Sequence, residues 1–157
     1  MSRKRNYADN RIVKKDAKYN SEAIEMLINK VMWGGKKTLA TRIVYDAMDL
    51  AGERLKADPL ETLENALSNI RPLLEVKSRR VGGATYQVPV EVSHRRALVL
   101  SIRWLVDISR AKKGKSMSES LAEELVAAVR NEGAAVRKKD EMHRMAEANK
   151  AFAHYRW

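Results

Sequence analysis

Lys77, Arg79 and Arg80 stand beside Gly82-Gly83, and Arg95-Arg96 follow shortly after. The guanidinium group offers a planar fork of donors that fits a phosphate in bidentate fashion. Each Lys or Arg that neutralises a nucleic-acid phosphate also releases condensed counterions, a favourable term. Similar residues recur elsewhere: Arg3, Lys4 and Arg5 near the start, Lys36-Lys37, and Arg110 with Lys112, Lys113 and Lys115. The chemistry that these residue types and spacings suggest is polyanion binding, not bond-making.

Other chemistries lack their residues. No Cys is present, which excludes disulfides and thiolate metal sites. His94, His143 and His154 are too far apart for ligand spacing on one helix face, and His94 and His143 read as polar surface groups. Gly34-Gly35-Lys36-Lys37-Thr38 superficially resembles a phosphate-cradling loop. Position 30 is Lys where that pattern needs Gly, Lys36 precedes Lys37 instead of Ser or Thr, and no strand leads in. Glu123-Glu124 and Asp140-Glu141 are sequence neighbours and so diverge around a helix. Asp140 and Glu147 instead face Arg144 and Lys150 as surface ion pairs. No catalytic residue, metal or cofactor is expected.

The chain has 157 residues, 45% of them apolar, and a net charge of +11. That length favours one domain with a sizeable core. No apolar run reaches the 18 or so residues of a spanning helix, and the start has no apolar leader. A soluble chain in the reducing cytoplasm is the expectation, with neither membrane nor small-molecule substrate as partner. Charge is unevenly spread: residues 1–18 hold seven Lys or Arg against two Asp, whereas Asp46, Asp49, Glu53, Asp58, Glu61 and Glu64 form an acidic flank. Basic runs at several element boundaries favour nucleic acid over a merely solvated face.

The elements that must position these groups are mostly helical. Residues 1–19 have no helical period and read as a flexible basic arm. Asn20 or Ser21 then caps a helix with Ile24, Leu27, Ile28, Val31 and Met32 on one stripe. A second helix spans about 38–56, with Ile43, Ala47, Leu50 and Ala51 inward. Asp58, Pro59 and Glu61 mark the start of a third, and Pro72 ends it. Ser93 caps a fourth, with Leu98, Ile102, Leu105 and Ile108 inward, and Ser116 with Glu119 caps a fifth. A sixth carries Val136, Met142, Met145, Phe152 and Ala153. Trp33, Trp104 and Tyr45 fall in helical patterns and are expected in the core, as are Met142, Met145 and Phe152.

Between the third and fourth helices the period changes to two. Tyr86, Val88, Val90 and Val92 alternate with Thr85, Gln87, Pro89 and Glu91, and Gly82-Gly83 is a two-residue turn signal. Residues 76–92 therefore read as a two-stranded hairpin. Pro89 lacks an N–H and suits only an edge strand, which a two-stranded ribbon supplies. Tyr86 suits either cross-strand packing or stacking on a nucleotide. The fold class expected is mainly α: one domain over residues 1–157, a bundle of six helices with one protruding hairpin.

Several runs carry a closer likeness. Ile28-Asn29-Lys30-Val31-Met32, Leu74-Glu75-Val76, Arg79-Arg80-Val81-Gly82-Gly83-Ala84, Tyr86-Gln87-Val88-Pro89-Val90-Glu91-Val92, Arg103-Trp104, and the stretch from His143 to Trp157 occur in order along nearly the whole chain. In these the sequence resembles the bacterial small-subunit ribosomal protein seven family. The resemblance implies a non-enzymatic primary binder of 16S rRNA that nucleates folding of the 3′ major domain, the head of the small subunit. It implies a place at the subunit interface near the exit site, close to tRNA and mRNA, with small-subunit proteins nine and eleven as neighbours. By position, it assigns rRNA contact to Arg3, Lys4, Arg5, Lys36, Lys37, Lys77, Arg79, Arg80, Arg95, Arg96, Lys113, Lys115 and Met117. It puts Gly82, Gly83, Tyr86, Arg144 and Lys150 near tRNA or mRNA. The chain departs from the family pattern at Ser93-His94, one residue short before the Arg pair, and at Lys15-Asp16-Ala17-Lys18, where the arm's path is expected to be less constrained. Composition alone leaves open the alternative of a basic helical DNA-binding or chromatin-like protein.

Overall fold

The computed structural model describes residues 14–156. It contains α1 (Glu22–Val31), α2 (Lys37–Leu55), α3 (Pro59–Ile70), β1 (Leu74–Val81), β2 (Ala84–Glu91), α4 (His94–Ala111), α5 (Met117–Val129), α6 (Ala134–Ala148) and a terminal 3-10 helix (Lys150–Tyr155). The bundle with a hairpin between α3 and α4 is the architecture expected. Helix starts fall where the capping residues put them. Ser21, Asp58, Ser93 and Ser116 accept hydrogen bonds from the N–H groups of Ile24, Glu61, Arg96 and Glu119. Each satisfies a donor the helix cannot, worth about 1 kcal/mol.

α5 lies at the centre and packs on α2, α3, α4 and α6. Its Leu121, Ala122, Leu125 and Ala128 are wholly buried, as are Ile24, Leu27, Val44, Met48, Leu63, Leu67, Ile70 and Leu105 from its surroundings. Two predicted stripes shift. In α2 the buried side chains are Ala40, Val44, Ala47, Met48 and Ala51, while Ile43 and Leu50 lie at the edge. The small residues of that stripe let α5 approach closely, which decides the rotation of the helix. α4 is buried well beyond the predicted set, including Leu100, Ser101, Trp104 and Val106, because α1, α3, α5 and α6 all contact it. Trp104 and Tyr45 join the core or its margin as expected. Trp33 and Met145 do not: they are 74% and 45% exposed. Trp33 follows Met32, the C-cap of α1, and so has left the helical stripe. Met145 lies off the α6 stripe of Ala135, Val136, Met142 and Ala146.

The strands pair antiparallel, with Val81 opposite Ala84 and Leu74 opposite Glu91. The pairing starts two residues earlier than predicted. Gly82 and Gly83 have φ of +57° and +84°, the left-handed pair that a two-residue hairpin turn requires. Residues opposite one another share a face, so Glu75, Lys77 and Arg79 accompany Val90, Val88 and Tyr86. Near the base both faces are covered: Val88 and Pro89 are buried. α6 contacts both strands, and the 3-10 helix contacts β2. The hairpin thus gains the support that a lone two-stranded ribbon lacks. The Leu73 N–H donates to His143 Nε2 at 2.9 Å, joining α6 to the hairpin's entry.

The sixth helix ends sooner than expected. The Asn149 side-chain amide donates to the Met145 carbonyl at 2.8 Å, a local bond that competes with helix continuation. The tighter 3-10 turn then swings Phe152 and Tyr155 onto Tyr86, with ring centroids at 5.1 and 4.9 Å.

Residues 14–19, assigned above to the arm, include a built turn. Asp16 is 4% exposed. One carboxylate oxygen accepts from the N–H of Lys18 (3.1 Å), the N–H of Tyr19 (2.8 Å) and the Tyr45 hydroxyl (2.9 Å); the other accepts from the Ser21 N–H at 2.7 Å. The Asp16 side chain therefore constrains the path that the departure at Lys15-Asp16-Ala17-Lys18 led us to expect was loose. Burial pushes the Asp16 carboxyl up, but the hydrogen bonds outweigh it and hold the group below the usual value near 3.8. A carboxyl depressed in the folded state stabilises fully above its unfolded pKa and loses that contribution as pH falls through its folded one. Asp16→Asn should cost about 1–2 kcal/mol at pH 7. The gap from wild type should narrow below about pH 4, measured as urea midpoints across pH. A gap that stays constant down to about pH 2.5 would show that the ionised carboxylate does not hold the turn.

Candidate nucleic-acid interface

Among the described residues, the basic runs flanking the helices sit where those helices begin or end. Lys36 and Lys37 occupy the α1–α2 junction, and Lys112, Lys113 and Lys115 the α4–α5 loop. Arg110 ties these two regions together. Its guanidinium donates to the carbonyls of Lys30 and Val31 at 3.0 and 2.9 Å, two of the acceptors that the end of α1 leaves over. It also stands 5.0 Å over the Trp33 ring. Lys36 and Met117 consequently line the same groove.

A second gathering forms at the hairpin base. Glu75, 6% exposed, pairs with Lys77 at 3.3 Å and with Arg96 at 3.5 Å. One buried carboxylate thus fixes β1 and the first turn of α4, and Arg95-Arg96 adjoin the ribbon. The one-residue shortening at Ser93-His94 leaves the Ser93 cap intact.

The predicted cations divide into two groups. Lys37 pairs with Glu25, Lys115 with Glu123, and Lys150 with Glu147 at 3.6 Å. Lys112 also reaches Glu123 and Glu124, at 3.3 and 3.1 Å. The hydrogen bond from Lys115 is the main cause holding the Glu123 carboxyl below its usual range. Among the described residues, Lys36, Arg80, Arg95, Lys113 and Arg144 are exposed and have no ion-pair partner. Asp140 pairs with Lys139 at 3.8 Å and not with Arg144. Arg3, Lys4 and Arg5 lie outside the described residues.

Arg79 and Tyr86 take a different place from the one the sequence suggested. Arg79 donates to the Tyr155 carbonyl, and Tyr86 packs beneath Phe152 and Tyr155. Tyr86 thus packs on the C-terminal 3-10 helix, a contact that neither sequence reading named, and Arg79 helps hold the C-terminal segment on the ribbon. Arg80 lies on the opposite face, with Ser78, Thr85 and Gln87. The Gly82-Gly83 tip is exposed and has no atom within 4 Å of a notional Cβ, so it presents bare backbone.

Sequence reasoning put Trp33 in the core, counted Arg110 only as one more basic residue, and gave no role to the carboxylates Glu25 and Glu75. A signal existed for Trp33, since it falls between a helix end and Gly34-Gly35. Arg110 and Glu25 depend on partners 12 to 80 residues away, and Glu75 joins its strand neighbour Lys77 to Arg96, 21 residues on, so none has a local pattern. Among the described residues no three His, Asp or Glu converge as metal ligands, and no helix is long and apolar enough to cross a membrane.

Such a surface, rigid beneath and cationic at its junctions, can hold phosphates at fixed spacing. Comparison with known sequences agrees with its character. The family described as ribosomal protein S7p/S5e matches residues 2–150. The chain is 55% identical over 154 residues to the small ribosomal subunit protein uS7 of Thermotoga neapolitana, covering 98% of this chain and 99% of the relative. It is 53% identical to that of Thermotoga maritima, with the same coverage. It is 60% identical over 142 residues to that of Dictyoglomus turgidum, covering 90% of this chain and 91% of the relative.

Proposed function

The chain belongs to the ribosomal protein S7p/S5e family, a structural and non-enzymatic component of the small ribosomal subunit, and from that premise we propose that it is a primary binder of 16S rRNA. Its bundle acts as a rigid frame. The α1–α2 and α4–α5 loops, the hairpin and the start of α4 hold RNA segments in a fixed relation, which is how one protein can nucleate folding of the 3′ major domain. The hairpin tip and α6 then face tRNA and mRNA near the exit site, and small-subunit proteins nine and eleven are its neighbours. These finer assignments rest on the resemblance of the residues named above.

One observation carries the RNA reading beyond family membership. Lys36, Arg80, Arg95 and Lys113 are exposed on well-anchored elements with no carboxylate partner among the described residues. A surface evolved only for solubility gains little from such an arrangement, whereas phosphates supply the missing counter-charge. The test is filter binding of the full chain to the isolated 3′ major domain RNA and to random duplex DNA at equal salt. We expect a preference for the RNA on the order of 10³-fold. Equal affinity for both would sink the reading and favour a general DNA binder.

A further inference from the structure

The α1–α2 junction presents a feature that phosphate binding does not use. Trp33 is 74% exposed and Leu39 48% exposed, and both line a groove of about 520 Å³ together with Met32, Ile43, Met117 and Lys36. That volume lies within the roughly 300–1,000 Å³ of small-ligand sites. Exposing so much apolar surface costs solubility unless something covers it. Trp33 is also held in place. The Arg110 guanidinium stands 5.0 Å over its ring and is itself fixed by the carbonyls of Lys30 and Val31. Cation–π attraction therefore orients the indole before any partner arrives.

We propose that Trp33 is a stacking platform for one unpaired base of the bound RNA, which enters the groove between the α1–α2 and α4–α5 loops. This rests on the RNA-binding reading above. Three features select a nucleotide as the occupant. The aromatic face is sequence-neutral and exposed, as in single-strand binders, where each base can offer a π-face. The floor of Met32, Leu39, Ile43 and Met117 is apolar, suiting a base and not a sugar or phosphate. The rim is cationic: Lys36 lines the groove, Lys113 lies in the adjoining loop, and neither has an ion pair among the described residues. A phosphate next to a seated base would meet that charge, whereas a hydrophobic peptide would leave it unmatched. A duplex cannot supply the occupant, because its bases are stacked on one another.

The test uses the full chain and the 3′ major domain RNA, with Trp33→Leu and Trp33→Phe. Leu keeps apolar bulk but has no π-face; Phe retains one. Trp33→Leu should weaken binding roughly 5- to 150-fold, equivalent to about 1–3 kcal/mol, while Trp33→Phe should recover most of the affinity. The slope of affinity against salt should be unchanged in both, since no phosphate contact is removed. Helical circular dichroism should match wild type because the side chain is not in the core. Wild-type affinity in Trp33→Leu, equal losses in both variants, or a flattened salt slope would each overturn the stacking assignment. If Trp33→Leu instead kept RNA affinity and lost binding to a neighbouring small-subunit protein, the occupant would be a protein and the proposal would fail. A wild-type chain with no preference for the RNA is a separate result, and it removes the underlying reading first.

Discussion

Replacing Lys36, Arg80, Arg95 and Lys113 together by Ala is expected to weaken binding to the 3′ major domain RNA on the order of 10³-fold near 0.1 M salt, while leaving the fold intact. The size follows from counterion release. Each phosphate contact contributes about 0.7–0.9 to the slope of log affinity against log salt. Losing four contacts should flatten that slope by roughly 3, and a slope change of 3 across the decade from 0.1 M to 1 M amounts to about three powers of ten. The variant and wild type should therefore converge near 1 M salt. Each of the four side chains is exposed, so the stability change should stay within about 0.5 kcal/mol per site. A matched variant in Lys37, Lys77 and Lys115 should lose less per residue, because Glu25, Glu75 and Glu123 already neutralise those groups. Arg79 belongs to neither set, since it donates to the Tyr155 carbonyl and acts through the C-terminal segment. Titrations at several salt concentrations decide the matter. An unchanged slope in the four-site variant would show that these cations do not face phosphates.

What could be read in the sequence was what is decided locally. The serine and aspartate caps and the Gly82-Gly83 turn are settled within four residues, and the structure places them as expected. Helix faces were less legible. The α2 stripe centres on Ala40, Val44, Ala47, Met48 and Ala51 because α5 needs close approach there, and hydropathy ranks Ile43 and Leu50 above those alanines. Trp33 was misplaced for a related reason: periodicity does not say where a helix stops. The buried carboxylates were hidden altogether. Asp16 meets Tyr45 from 29 residues away, and Glu75 gathers Lys77 and Arg96 across a strand and a helix start. The basic runs were visible as RNA-binding candidates, but which cations keep their charge for a ligand depends on these carboxylates, and that is a property of the packed fold.

The junction between α5 and α6 carries the largest expected effect on stability. Gly133 has φ +92° and ψ 171°, a region essentially reserved for glycine. A Cβ there would lie 2.9 Å from the Ala127 Cβ and 3.3 Å from Glu124 Oε2. Neither neighbour yields readily. Ala127 is within α5, and its carbonyl accepts from the Glu132 N–H at 2.8 Å. Glu124 is 4% exposed and held by Lys112 at 3.1 Å, while its Oε2 is buried with no hydrogen-bond partner in the structure. The added methyl would press against that oxygen without satisfying it. The Gly133 carbonyl also accepts from Arg137 at 3.1 Å to start α6, so moving the backbone aside disturbs the helix whose His143 anchors the hairpin's entry. Backbone strain of about 1–3 kcal/mol and overpacking of about 1–3 kcal/mol together predict a loss of roughly 3–5 kcal/mol for Gly133→Ala. For a chain of this size that corresponds to a fall in Tm on the order of 10 °C. Gly82→Ala is the control: its φ is also positive, at +57°, but nothing lies within 4 Å of the new methyl. It should cost only the strain, about 1 kcal/mol. Thermal unfolding of the two variants separates the contributions. A Gly133→Ala midpoint no lower than that of Gly82→Ala would show that α5 and α6 have room to spare at their junction, and that the contact with Ala127 and Glu124 does not set the stability there.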